Sequence, residues 1–386
     1  MKRHKLIRIT TVPISLKILL KGQLQFMSQY FEVIGVASSG PDLEQVKKEE
    51  GITVVPIEMS RKITPIKDLI SVYQLYSLFK KTKPFIVHTH TPKAGIVGML
   101  AAKLAKVPHR LHTVAGLPLM EAIGFKRKIL DAVEKLTYAC ATKVYPNSKG
   151  LNDFIIEEKL TTPHKLKVIA NGSSNGINTT LYSKNDLVMQ RQTVLLNELN
   201  LATTDFVFIF VGRLVKDKGI NELVAAFTKL ALNYSNAKLL LVGPFEDELD
   251  PLSADTVAQI ENNVNIINVG FQSDVRPYFA LAHCLVFPSY REGFPNVVLQ
   301  AGAMGLPSIV SNINGCDEII IEGKNGIIIP VKSTQAIHDA MQRMISEVAF
   351  WQELKNNARA MIVSRYEQEV VWQAMLSEYK KLEENV

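Results

Sequence analysis

The chain has 386 residues, 47% of them apolar, with 44 Lys and Arg against 37 Asp and Glu. That length divides into two or three domains, and the apolar content fills sizeable cores and excludes a disordered chain. Three cysteines, Cys140, Cys284 and Cys316, are widely spaced and odd in number, which excludes a disulfide framework or a cysteine metal site and predicts buried thiols. The net charge of +7 is unevenly divided: residues 1–185 hold 28 Lys and Arg against 13 Asp and Glu, and the remainder holds 16 against 24. The asymmetry predicts an anionic partner for the first half. No zinc-finger, RNA-recognition or basic-zipper signature accompanies it, so nucleic acid is not the expected partner.

The first 21 residues begin like a signal peptide, but Arg8, Pro13 and Lys17 interrupt any apolar core, so they read as a strand and a helix. No run approaches the ~18 apolar residues that span a bilayer. Strand-like runs follow at 6–11, 31–37, 52–56, 85–87, 110–114, 144–146 and 166–169, with helical stretches at 65–83, 93–105, 121–141 and 147–159. Such alternation predicts an α/β fold of parallel sheets covered by helices. The first loop, Thr11-Val12-Pro13-Ile14-Ser15, contains no G-x-G-x-x-G, which argues against a dinucleotide dehydrogenase. The segment His88-Thr89-His90-Thr91-Pro92-Lys93 follows a strand and opens a helix. An H-x-H pair can bind metal, but no third ligand is evident nearby, so a structural or substrate-contact role is preferred and no metal is expected. Lys93, at the helix start, is placed to face an anionic acceptor. Lys80-Lys81-Lys83 and Lys126-Arg127-Lys128 lie beside amphipathic stretches, and anionic headgroups attract such residues by about 1 kcal/mol each. An anionic membrane surface is therefore the expected partner of the first half. The turn-rich segment from Asn171 to Gly176 opens an interdomain linker.

The second half continues with strands at 206–211, 238–242, 264–269, 284–287, 308–311 and 326–330, and ends in helices over 347–385. The fully apolar run 206–211 ends at Gly212, as a buried parallel strand does. Arg213 and Lys218 then fall in the loop where α/β sheets bind ligands. Arg forks onto phosphate oxygens and Lys supplies a point charge. After 284–287 comes Glu292-Gly293-Phe294-Pro295-Asn296. Pro295 suits the first turn of a helix over 295–304, with Gly305 at its end and Pro307 beyond. Its free amides and positive dipole end suit a diphosphate. An ionised Glu292 is acceptor-only and suits sugar hydroxyls.

These motifs, with the later GKNGIIIP and the amino-terminal VHTHTPKAGIVGMLAAKLAKVPHRLHTVAGLPL, resemble the retaining GT-B glycosyltransferases of family 4, the group 1 glycosyl transferases, in the branch that builds capsule, O-antigen and exopolysaccharide repeats. Residues 207–331 carry most of the resemblance. It implies two Rossmann-like domains with parallel sheets facing a central cleft: an acceptor domain at 1–175, a donor domain at 176–365, and a final helix at 366–386 crossing back to the first. It implies that Arg213 and Lys218 hold a donor diphosphate after Gly212. Glu292 would touch the donor sugar, and Gly293, Phe294, Pro295 and Asn296 would supply the loop backbone. The family's E-x7-E pattern places a second Glu, gripping ribose, at position 300. This chain has Gln300, whose amide oxygen still accepts a hydrogen bond. Many relatives read T-x-H-G where this chain has Thr113-Val114-Ala115-Gly116. His112 lies three residues before Ala115 and faces the other way on an extended strand. His112 joins His88 and Lys93 as an acceptor-side candidate. There is no D-x-D motif for metal-dependent donor binding, and no cofactor is implied. The resulting expectation is transfer of a hexose or N-acetylhexosamine from a nucleotide-sugar, UDP-linked in the first instance, to a lipid-linked saccharide at the cytoplasmic membrane face. A nucleotide-sugar 2-epimerase of the same architecture and a non-catalytic two-domain sugar-binding protein are the alternatives.

Overall fold

The computed structural model describes residues 3–60, 64–120, 122–246 and 250–384. The alternating apolar runs form two parallel sheets of six strands each among these residues. The first contains β1 (Lys5–Ile9), β2 (Glu32–Ala37), β3 (Thr53–Pro56), β4 (Ile86–Thr89), β5 (His109–Val114) and β6 (Lys143–Pro146), in the order β3-β2-β1-β4-β5-β6. The second contains β7 (Phe206–Val211), β8 (Ala237–Val242), β9 (Ile266–Asn268), β10 (Cys284–Phe287), β11 (Ser308–Ser311) and β12 (Gly326–Ile329), in the order β12-β11-β10-β7-β8-β9. Each sheet winds outward from a central pair, β1 beside β4 and β7 beside β10. In a doubly wound sheet the ligand crevice opens at the carboxyl ends of that pair, where connections leave in opposite directions.

The chain divides into two compact units, Met1–Gly176 with Glu369–Val386, and Ile177–Gln368. In the first, one core joins Val87 and Val114 of the sheet to Leu75, Phe79, Val97 and Tyr138 of the flanking helices. A second core packs Leu6, Ile86 and Leu111 against Leu16, Leu24 and Phe31. The Gln368–Glu384 helix belongs to that second core, through Met375, Leu376 and Tyr379. In the other unit Phe208, Phe210, Leu240, Val286 and Ile309 pack with Phe227, Leu230, Leu299 and Met341. All three cysteines are free and buried. No helix among the described residues is long and apolar enough to cross a membrane.

Two expected elements differ. The run 166–169 does not become a strand: a 3-10 turn, Pro163–Lys165, precedes it, and it makes one isolated bridge, Leu166 to Val144. The expected helix 121–141 is observed as Gly124–Cys140, and its expected first residue, Glu121, lies outside the described residues.

Candidate functional site

The loops leaving β7 and β10 flank the switch point of the second sheet. After β7 the backbone turns through Gly212 and makes a short 3-10 helix, Lys216–Lys218. It closes on Gly219 in the left-handed region, φ +72°. A Cβ on Gly219 would stand 2.3 Å from the Pro288 carbonyl oxygen, so only glycine allows the two loops to meet here. The contact brings Lys218 Nζ within 2.6 Å of Glu292 Oε1, both side chains being largely covered. Buried Ser289 donates to the same carboxylate oxygen at 3.0 Å. Arg291 pairs with Asp217 at 2.8 Å, and the Tyr290 hydroxyl donates to Glu222 at 2.7 Å. Residues 74 positions apart thus form one charged rim.

Arg213 points elsewhere. Its guanidinium, half exposed, pairs with Glu246 in the loop after β8 at 2.5 Å. Beyond Glu292, Asn314 Nδ2 donates to the carbonyls of Glu292 and Gly293, at 3.1 and 2.6 Å. The next residue, Gly315, has φ +77°, and a Cβ there would reach 2.6 Å from the Gly293 carbonyl oxygen. This close approach fixes the Gly293-Phe294 backbone ahead of the Asn296–Ala303 helix. Pro295 is the residue before that helix and not part of its first turn, because its ψ of 107° is extended. No side chain caps the helix, and Val298 turns its amide back to the Pro295 carbonyl at 3.2 Å. The uncapped end therefore presents the positive end of the helix dipole beside Phe294. Gln300, one turn along, donates from Nε2 to the Tyr182 hydroxyl at 2.8 Å. Cys316 is buried nearby, and burial pushes its thiol well above the ordinary range, so it is no nucleophile.

The switch point of the first sheet has another character. His88 is fully buried, with Nδ1 2.6 Å from the Tyr379 hydroxyl and Nε2 2.8 Å from Thr113 Oγ1. His112 lies on the opposite face, 2.8 Å from Thr89 Oγ1, with its ring against Gly95. Burial holds both imidazoles below their ordinary range, His112 at about 4, so both are neutral. Both acceptor-side histidines are thus packed inside the fold and hydrogen-bonded there. Lys93, the third candidate, pairs with Asp68 at 2.5 Å. The H-x-H partner His90 packs its ring against His88 at a tilt, centroids 4.2 Å apart, and accepts from Arg8 Nε at 2.9 Å. Arg8 also donates to Gln23 at 2.5 Å and is wholly buried. The basic clusters separate as well. Lys80 and Lys81 end the Pro65–Thr82 helix, at the amino edge of the strands. Lys126, Arg127 and Lys128 begin the Gly124–Cys140 helix at the carboxyl edge, where Arg127 pairs with Asp131 and Glu158.

The profile of the glycosyl transferases group 1 matches residues 192–361, and that of the glycosyl transferase 4-like domains matches residues 18–148. The capsular polysaccharide biosynthesis glycosyltransferase CapM of Staphylococcus aureus is 33% identical over 381 residues, covering 98% of this chain and 97% of its own. The chain belongs to the group 1 glycosyltransferases. A second relative of this transferase, the UDP-Gal:alpha-D-GlcNAc-diphosphoundecaprenol alpha-1,3-galactosyltransferase of Escherichia coli, is 29% identical over 94% of each chain. The fold matches the crystal structure of Anabaena Alr3699/HepE in complex with UDP, with a TM-score of 0.79 at 18% identity, over 99% of this chain and 100% of that one. The transferase thus has the GT-B fold.

Sequence reasoning missed the contacts of Asn314 and Ser289, and read Arg8 only as an interruption of an apolar run. Asn314-Gly315, three residues beyond β11, is a turn signal legible in the sequence. Arg8 is a charge inside the apolar run Leu6-Ile7-Arg8-Ile9, a pattern that marks a polar network in a buried strand.

Proposed function

We propose that the enzyme transfers a hexose or N-acetylhexosamine from a UDP-linked donor to a lipid-linked saccharide, with retention, in surface polysaccharide assembly at the cytoplasmic membrane face. The observation that carries this reading is the Lys218–Glu292 pair beside an uncapped helix end at the second sheet's switch point. A diphosphate entering there takes Lys218, and Glu292, released from the pair, accepts from a sugar hydroxyl. Arg213 swings from Glu246 to the phosphates. Gly293, Phe294 and Asn296 supply backbone, and Gln300 accepts from the ribose. Negative charge grows on the leaving diphosphate in the transition state, where Lys218 and Arg213 act. The leaving phosphate takes the acceptor's proton on the same face of the sugar, a route that needs no histidine at Ala115. The acceptor class follows the diphosphoundecaprenol-linked acceptor of the Escherichia coli relative and the capsular role of CapM. UDP as carrier follows that relative's donor and the UDP in the Anabaena structure. The acceptor's lipid and the basic first half support docking on an anionic membrane.

The test is donor turnover across a panel of nucleotide-sugars, read by mass spectrometry and by the anomeric configuration of the product. One UDP-sugar is expected to be hydrolysed slowly alone and transferred rapidly to a diphospholipid-linked saccharide. An epimerised nucleotide-sugar formed without acceptor would establish the epimerase reading instead.

A further inference from the structure

A cleft of about 280 Å³ opens in the second unit, away from the Lys218–Glu292 loops. Its walls include Asp205 and Val207 at the start of β7, His283 directly before β10 and Leu306 before β11. These three strands are parallel, so the residues mark the amino edge of the sheet. The 6 residues of β7 separate that edge from Gly212 by about 20 Å. The cleft is therefore no part of the crevice at the switch point.

One wall is a fixed aromatic cluster. His283 stacks on Phe206 with centroids 4.9 Å apart, and Trp351, on the Val348–Tyr366 helix, meets Phe206 edge-on at 5.7 Å. The indole donates to the His283 carbonyl at 3.0 Å. The Val207 amide donates to His283 Nδ1 at 3.1 Å, which orients the imidazole. Burial holds His283 at about 4, so the ring is neutral. With Nδ1 accepting, its one proton sits on Nε2, and Nε2 is left as a donor.

Two cations share this cleft. Lys355, one turn beyond Trp351, holds its Nζ 4.6 Å over that indole ring. Lys184 joins it from the segment before the Asp186–Glu198 helix. Among the described residues neither lysine forms an ion pair. Lys184 is exposed as a residue, yet desolvation of its ammonium, and then Lys355, hold it below the ordinary range. Asp205, the one carboxylate lining the cleft among the described residues, spends Oδ2 on the Ala202 amide at 2.8 Å. Two ammonium groups gathered at one cleft repel each other, and an anion between them turns that repulsion into attraction. Two point charges and an imidazole N–H match the charge and the oxygens of a phosphate monoester. Leu196, Val207, Leu281 and Leu306 supply apolar backing for the group that the phosphate carries. The volume lies at the small end for ligand sites and limits that group to about one ring.

We infer that this cleft is a second ligand site of the enzyme, one that takes a small phosphate monoester with an apolar or planar body, held by Lys184, Lys355 and His283. The inference requires nothing of the donor or acceptor proposed above.

The chain holds 2 tryptophans, Trp351 and Trp372, so a Trp372→Phe protein reports from the cleft alone. Its emission is titrated with benzyl phosphate, inorganic phosphate and benzyl alcohol. Benzyl phosphate is expected to change the emission saturably, inorganic phosphate to bind several-fold more weakly, and benzyl alcohol to leave the emission unchanged. Lys184→Gln, which does not touch the indole, should weaken benzyl phosphate several-fold, and Lys184→Gln with Lys355→Gln about tenfold or more. Arg213→Ala, at the other edge, should bind as well as its parent. In the protein with both tryptophans, benzyl phosphate should raise the melting temperature, and the double lysine variant should lose that rise. Circular dichroism verifies folding of each variant. Neither a saturable emission change nor a rise in melting temperature would overturn the site. Equal affinity for inorganic phosphate would overturn the apolar body. Affinity unaltered by the lysine changes, or lost in Arg213→Ala, would place the ligand elsewhere and overturn the assignment. Failure of every nucleotide-sugar in the donor panel would fail the proposed function and leave this site standing.

Discussion

The two sheets share one strand order, but the chemistry at their switch points is opposite. At β7 and β10 the loops carry charge in ion pairs: largely covered Lys218 against Glu292, Arg291 against Asp217, and exposed Arg213 against Glu246. At β1 and β4 the polar groups are inside: Arg8, His88 and His90 are buried and hydrogen-bonded to one another or to Gln23, Thr113 and Tyr379. Topology dictates where a crevice opens, and loop composition decides what enters it. The exposed Arg213–Glu246 pair exchanges partners at little cost, whereas the largely covered Lys218–Glu292 pair gives up its partners only to a ligand that replaces them. Buried polar groups do not exchange, because each lost partner leaves an unsatisfied atom in a medium that cannot solvate it. The site at β7 and β10 is built to respond and the cluster at β1 and β4 to hold shape.

The sharpest test of the contrast is removal of the responsive cations. Lys218→Ala or Arg213→Ala deletes a charge aimed at the leaving diphosphate, and turnover is expected to fall roughly 10²-fold or more. Both variants should stay folded: melting temperature should barely change in Arg213→Ala, whose guanidinium is half exposed, and should fall in Lys218→Ala, which strands the largely covered Glu292. Steady-state rates with the hydrolysed donor, beside thermal melts, make the measurement. Near-normal turnover in both variants would remove this loop from the site.

Acid separates the units more gently. Burial holds His88, His90 and His112 of the first unit below the ordinary 6.5, His112 at about 4. The unfolded chain therefore takes up their protons first, and stability present above pH ~6.5 is lost as pH falls toward 4. At 1.36 kcal/mol per pKa unit, His112 alone contributes about 3 kcal/mol across that window. Glu134 acts oppositely: burial raises it to about 7, so its contribution is present at acid pH and lost as pH rises through 7. Three histidines outweigh it. The other unit carries His283, at about 4, as its comparable group. At pH 5 the first unit should open before the second. The buried thiols report this directly, Cys140 from the first unit and Cys284 and Cys316 from the second. Labelling with a dithiopyridine reagent, read by peptide mass spectrometry, should modify Cys140 earliest at pH 5. Earlier modification of Cys284 would reverse the comparison.

The same contrast explains what sequence could reveal. Strands such as Phe206–Val211 were legible because both faces are buried and the whole run is apolar. The Gly219 and Gly315 turns were legible as glycines but not as contacts, since a close approach depends on the partner loop. The burial of His88 and His112 was not legible. Period-2 reasoning assigns a side chain to a face, but helices cover both faces of this sheet, so facing the other way means facing another core. On the Pro65–Thr82 helix the converse holds: Ile66, Leu69, Ile70 and Tyr73 have the spacing of a core stripe, yet all four are exposed. The run 166–169 has strand-like residues but lies beyond β6, where a 3-10 turn and one backbone bond replace a ladder.

The smallest expected effect is at Gln300, where the two behaviours meet on one side chain. Its Nε2 is spent on Tyr182, a fixed contact, and its Oε1 is the atom proposed for the ribose. Gln300→Glu keeps the fixed contact by reversing it, since the Tyr182 hydroxyl then donates to the carboxylate, and it adds charge to the ribose bond. Gln300→Leu loses both. A neutral hydrogen bond contributes about 0.5–1.5 kcal/mol, so UDP affinity is expected to weaken a few-fold to about tenfold in Gln300→Leu and to hold or improve in Gln300→Glu. Tyr182→Phe separates the two contacts: if Oε1 holds the ribose directly, affinity should change less than in Gln300→Leu. Calorimetric titration of UDP into the four proteins gives the comparison. Equal affinities throughout would show that position 300 serves only the fixed contact, and would place the ribose elsewhere along the loop.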